Sequence, residues 1–119
     1  MFGMGLIEVK GIKVYAYHGC LSEEGRIGGH YRVDVTVEGD LTRAERTDKL
    51  ADTIDYSRVT AIVVGQMAER SQLIEHVAAR ILDKLKTEWP HGFLWRVRLE
   101  KEHPPIPGAV DRVVYTVEG

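Results

Sequence analysis

An α+β fold is what this sequence predicts: an antiparallel four-stranded sheet with two helices on one face, in the order ββααββ. Four segments alternate apolar and polar residues with a period of two. Two central segments place apolar residues at helical spacing. Runs rich in Gly, Pro or acidic residues separate these segments, and none is long enough to act as a linker between domains. With 119 residues and no internal repeat or low-complexity tract, residues 1–119 read as one continuous domain.

The first strand covers residues 6–17, LIEVKGIKVYAY. Ile7 and Val9 share one face, and beyond Gly11 the apolar phase passes to Ile12, Val14 and Ala16. An alternation that slips by one residue at a glycine predicts a β-bulge. The connection CLSEEGRIGG is rich in turn residues and predicts a wide loop closing a hairpin. The second strand, residues 30–38, sets Tyr31, Val33, Val35 and Val37 against Arg32, Asp34, Thr36 and Glu38. Residues 41–55 are polar, with a short helical turn expected around Arg43–Lys49. A helix is expected from Tyr56 to Ala68, capped by Asp55 or Ser57, with Val59, Ile62, Val63 and Met67 facing inward. A second helix is expected after Ser71 as N-cap, carrying Leu73, Ile74, Val77, Ala78, Ile81, Leu82 and Leu85, and ending at Pro90–Gly92. The third strand, residues 93–101, places Phe93, Trp95, Val97, Leu99 and Lys101 on one face. EHPPIPG is a stiff turn, and Val110–Glu118 form the fourth strand.

Sixteen Lys and Arg against eighteen Asp and Glu leave a net charge of −2. That balance argues against a nucleic-acid binder or an anionic-membrane binder, either of which needs a basic surplus. The single Cys20 cannot form an internal disulfide, and no Cys/His cluster has metal-ligand spacing. No apolar run reaches the ~18 residues of a membrane span. No basic and apolar leader opens the chain, so the cytoplasm is the expected compartment. The far sheet face gathers Arg32, Asp34, Thr36, Arg96, Arg98, Glu100 and either Arg112 or Asp111. Such a face is either solvated or the polar wall of an oligomer in which opposite charges meet.

Six residues have the chemistry of a site, and each also has an ordinary structural reading. Lys101 continues an apolar strand face just before a proline-stiffened turn, either snorkelling to water or acting as an acid–base amine at a cleft rim. Glu75 suits the first turn of a helix, where it complements the dipole. Glu23 and Glu24 fit a solvated turn, Tyr56 fits packing at a helix start, and His18 fits a structural role after an aromatic strand.

Together these residues stand in a familiar order. YAYHGCLSEEGRIG, DTIDYSRV, LIEHVAARI and LEKEHPPIPG resemble the dihydroneopterin aldolase family from about Ile7 to Val117, with the spacing between the blocks preserved. The resemblance implies the tunnelling fold, whose ββααββ units join side by side into a four-subunit barrel, two such rings commonly stacking into an octamer. It also implies a metal-free retro-aldol lyase without a Schiff base, working in folate biosynthesis on 7,8-dihydroneopterin. The products are 6-hydroxymethyl-7,8-dihydropterin and glycolaldehyde. Matched position by position, Lys101 is the acid–base lysine, Glu24 rather than Glu23 the loop glutamate, and Tyr56 the tyrosine after the Asp-Thr-Ile-Asp pattern. Glu75 is the pterin anchor, and Ile74 offers its main chain to the ring. Gln72 departs from the family, which often has Asn there. No cofactor, nucleic acid or membrane is implied; the ligand is a small pterin and the assembly a homo-oligomer. The rival readings are dihydroneopterin triphosphate 2′-epimerase, which shares the intermediate, and a non-catalytic pterin-binding protein of the same fold.

Overall fold

A computed structural model describes residues 4–119; residues 1–3, which the sequence reading includes in the domain, lie outside the described residues. The elements run β1 (Gly5–Ala16), α1 (Ser22–Ile27), β2 (Gly29–Gly39), α2 (Thr42–Thr47), α3 (Tyr56–Met67), α4 (Ile74–Glu88), β3 (Phe93–Glu102) and β4 (Arg112–Glu118), with a 3-10 turn at Leu50–Asp52. The strands form one antiparallel sheet in the order β1-β2-β3-β4, and α3 and α4 pack on one face of it.

The alternation read from the sequence becomes the core. Val33, Val35 and Val37 of β2 and Trp95, Val97 and Leu99 of β3 bury against Val59 and Val63 of α3 and Val77, Ile81 and Leu85 of α4. Burial on that scale, roughly 1.5–3 kcal/mol for each large apolar side chain, is what holds the helices to the sheet. The expected bulge is present: β1–β2 pairing jumps from Val9↔Val35 to Ile12↔Val33. Gly11 takes φ +73° there, and its N–H donates to Asp34 Oδ1 at 2.6 Å. A polar residue of the outer face therefore satisfies the amide that the bulge frees. The other charges of that face pair within the chain. Glu100, only 2 % exposed, lies between Arg98 at 3.2 Å and Arg112 at 3.3 Å.

Asp55 caps α3, its side chain accepting from the Ser57 N–H at 2.9 Å. Three expectations need correction. The loop expected after β1 contains helix α1, whose first turn is closed by Glu24 N–H donating to the Leu21 carbonyl and by Leu21 N–H donating to Glu24 Oε1. Ser71 does not cap α4, which begins at Ile74 with Leu73 in the cap position. Its N–H is already committed to His18 Nδ1 at 3.0 Å, and its carbonyl accepts from Gly19 N–H at 3.0 Å. These bonds hold Ser71 outside the helix, which starts three residues later. The fourth strand begins at Arg112 rather than Val110, after His103 N–H has bonded the Asp111 carbonyl and closed the proline turn.

Candidate active site

Lys101 sits near the end of β3, opposite Tyr31 of β2 and Val113 of β4, on the same face as Val97 and Leu99. That face is core until the helices run out, so the ammonium emerges at the rim of the core with its side chain 15 % exposed. Nζ donates to the His18 carbonyl at 2.9 Å and is paired with the Glu24 carboxylate, itself 13 % exposed. It also lies 5.8 Å from the centroid of the Tyr31 ring. The Tyr31 hydroxyl donates to the same His18 carbonyl at 2.8 Å. Burial pushes the Tyr31 phenol above its usual pKa, with the Lys101 charge acting in the opposite direction.

Glu24 reaches Lys101 because α1 turns it inward and Gly19 leaves room. A β-carbon at Gly19 would stand 2.2 Å from the Glu24 carboxyl group, and its φ of +144° is itself unfavourable for other residues. His18 is wholly buried. Since Nδ1 accepts from Ser71 N–H, the proton of the neutral ring belongs on Nε2, which has no hydrogen-bond partner among the described residues. Burial is the main cause that lowers its pKa from 6.5 to about 4; the charge of Arg80 adds to the effect, the Met67 backbone opposes it, and Lys101 and Arg70 lower it further.

The Glu24–Lys101 pair stands between two hollows and lines both. The larger, about 440 Å³, is walled by Cys20, Gln72, Leu73, Ile74, Glu75 and the Pro104–Ile106 turn. The smaller, about 170 Å³, lies toward Tyr31, Ile27 and His103. Glu75 is in the first turn of α4, beside Ile74, whose N–H lies at the helix start and so has no intrahelical partner. The larger hollow is thus lined by a carboxylate beside a free helix-start amide and by an amine–carboxylate pair. Such a site can read a flat ring with clustered N–H donors and move a proton on a substituent of that ring.

Four of the five site residues read from the sequence come together here: Glu24, Ile74, Glu75 and Lys101. Tyr56 does not. It is 66 % exposed at the first position of α3, and lines neither hollow. Ser71, four residues beyond the end of α3, bonds His18, so Tyr56 lies at the opposite end of the helix, roughly 16 Å of helical rise away. Glu23 lines only the smaller hollow. Sequence reasoning missed Tyr31 as part of the site, because its alternation marks it as core and its hydroxyl acts on a main-chain carbonyl. Among the described residues no group of His, Cys, Asp and Glu is arranged to hold a metal ion, and no helix is long and apolar enough to cross a membrane.

The FolB family model, described as dihydroneopterin aldolase, matches residues 7–118. A dihydroneopterin aldolase of Staphylococcus epidermidis is 39 % identical over 112 residues, covering 91 % of this chain and 90 % of the relative. That of Bacillus subtilis is 34 % identical over 106 residues, 88 % of each chain. Among solved structures, the Escherichia coli dihydroneopterin aldolase in complex with neopterin superposes with a TM-score of 0.86 at 20 % identity, over 97 % of this chain and 98 % of that one.

Proposed function

This chain belongs to the dihydroneopterin aldolase family, and from that premise we propose how its residues cleave 7,8-dihydroneopterin. The protein is an aldolase of folate biosynthesis, and the observation that carries the mechanism is the Glu24–Lys101 pair on the wall of a hollow that also presents Glu75.

In the proposed reaction the pterin lies in the larger hollow. Glu75 accepts from the 2-amino group and N3–H, a charge-assisted pair that fixes the ring, and the Ile74 main chain adds to it. The same ring is what the neopterin of the Escherichia coli complex would present. The trihydroxypropyl chain then runs to Glu24, which holds its hydroxyls, and to Lys101. Lys101, as the free amine, takes the 2′-hydroxyl proton through a water. The O–H electrons form the aldehyde C=O, the C1′–C2′ bond breaks, and its electron pair moves through C1′=C6 onto N5. Protonation at C1′, aided by Tyr56, returns the ring to the dihydropterin as the 6-hydroxymethyl product, and glycolaldehyde leaves. The conjugated imine of the ring accepts the electrons, so the proposal needs neither a metal nor a Schiff base. Lys101 acts by proton transfer, worth ~10²–10⁴-fold for a well-placed group.

Tyr56 enters from a neighbouring subunit. In this reading the exposed edges of β1 and β4 pair with those of adjacent chains, four subunits close a ring with the charged sheet face lining its tunnel, and two rings stack. The work is cytoplasmic. The test is product analysis by chromatography after incubation with 7,8-dihydroneopterin and, separately, its triphosphate. Release of glycolaldehyde and 6-hydroxymethyl-7,8-dihydropterin is expected. Inversion at C2′ without cleavage, or unchanged substrate, would overturn the mechanism.

A further inference from the structure

The segment Tyr17–Leu21, which joins β1 to α1, lines both hollows, through His18 and Leu21 on the smaller and Gly19, Cys20 and Leu21 on the larger. Its carbonyls alternate in direction. That of His18 faces inward and receives both Lys101 Nζ and the Tyr31 hydroxyl. Those on either side face a single guanidinium: Arg70 donates through Nε to the Tyr17 carbonyl at 2.9 Å, and through Nη2 to those of Gly19 at 2.7 Å and Leu21 at 3.4 Å. Arg70 is itself anchored, because the next residue, Ser71, is bonded in both directions to His18 and Gly19. A planar fork can span carbonyls two residues apart, which the point charge of a lysine cannot.

A second feature serves the same contact. Gly25 lies inside α1, where glycine is normally unfavourable. A β-carbon there would stand 2.7 Å from the Arg70 Cζ and Nε. The bare backbone of α1 is thus the floor on which the guanidinium rests, one residue beyond Glu24.

We propose that Arg70 is a positioning residue for the aldolase reaction: it locks segment 17–21 and α1 in the arrangement that presents Glu24 to Lys101, and Gly25 is the glycine that admits it. The inference rests on the proposed roles of Glu24 and Lys101. Arg70 touches neither hollow of the working pair and acts only through the main chain it holds.

The decisive variant is Gly25→Ala. The added methyl displaces the flexible end of Arg70 while raising helix propensity in α1, so the protein should keep its melting temperature. Its kcat should fall by about 10- to 100-fold, the range for a small misplacement of catalytic groups, with KM changed by less than about threefold. Arg70→Ala should do the same, and Arg70→Lys should recover only part of the loss. In a Glu24→Gln background Arg70→Ala should cost less than about twofold, because the group it positions is already disabled. Amide exchange of residues 17–24 in Arg70→Ala gives a readout independent of turnover and should rise by at least about tenfold. Unchanged kcat in a folded Gly25→Ala, an Arg70→Ala effect of equal size in both backgrounds, or unchanged exchange of this segment overturns the inference. A wild-type protein that releases no aldehyde overturns the proposed reaction instead, and the exchange measurement then still decides whether Arg70 locks the segment.

Discussion

Lowering the pH from 7 to 5 should remove about 2 kcal/mol of stability through His18 alone. In the native chain its ring is wholly buried, accepts from Ser71 N–H, and has Arg70, Arg80 and Lys101 as the charges that act on it. All three repel an imidazolium, and burial opposes it more strongly still. The unfolded chain binds the proton near 6.5, whereas the folded chain refuses it until about 4. Between those values the unfolded state holds more protons, so stability rises with pH across that window. It is complete above about 6.5, declines as the pH falls, and is lost in full below about 4, where the slope vanishes. The whole window is worth about 3 kcal/mol, of which about 2 fall above pH 5, before most carboxylates begin to titrate. Urea unfolding followed by tryptophan fluorescence at pH 7, 6 and 5 measures it, Trp95 being fully buried. The control is His18→Asn, whose Oδ1 can still accept from Ser71 N–H but which does not titrate. The wild type should lose about 2 kcal/mol more than this variant over the interval. Parallel curves for the two proteins would refute the assignment.

Glu75→Gln should weaken binding of neopterin, an unreactive analogue, by roughly 2–3 kcal/mol, since an amide oxygen accepts only one of the two bonds and carries no charge; unchanged affinity in a titration would remove Glu75 as the anchor. Gly19→Ala should abolish turnover, because its methyl would occupy the space of the Glu24 carboxylate 2.2 Å away, and a crystal structure of the variant should show Glu24 swung away from Lys101. Mixing inactive Tyr56→Ala and Lys101→Ala chains and reassembling them should restore activity, with about a quarter of interfaces carrying both native residues if subunits exchange freely. A well-mixed assembly that stays inactive would rule out a site shared between chains.

What was legible in the sequence follows from which forces act locally. Tyr31–Val37 and Phe93–Lys101 alternate so cleanly that strand and face could be read, and the slip at Gly11 placed the bulge. Asp55 announced α3 through a cap whose donor, the Ser57 N–H, lies only two residues away. Helix α1 was not legible. It has six residues, a glycine inside it and no apolar stripe, and it is held by distant partners: Lys101 on Glu24, and the Tyr15 hydroxyl on the Ile27 carbonyl at 2.6 Å. Ser71 misled for the same reason, because a serine before an apolar helix signals a cap unless a remote histidine claims its amide. The site residues split along the same line. Glu24, Glu75 and Lys101 stood out as charged groups in motif blocks, whereas Tyr31 and Arg70 work on main-chain carbonyls and leave no pattern of residue types to find.

The account rests most heavily on Lys101 as the group that moves the proton, and one paired measurement reaches it directly. Glycolaldehyde release from 7,8-dihydroneopterin is followed for wild type and Lys101→Ala, alongside the affinity of each for neopterin. The variant should bind the analogue within a few-fold of wild type and lose at least ~10²-fold in kcat, because an acid–base group contributes to the transition state and not to anchoring. Near-normal turnover in Lys101→Ala, or a loss confined to pterin affinity, would contradict the account.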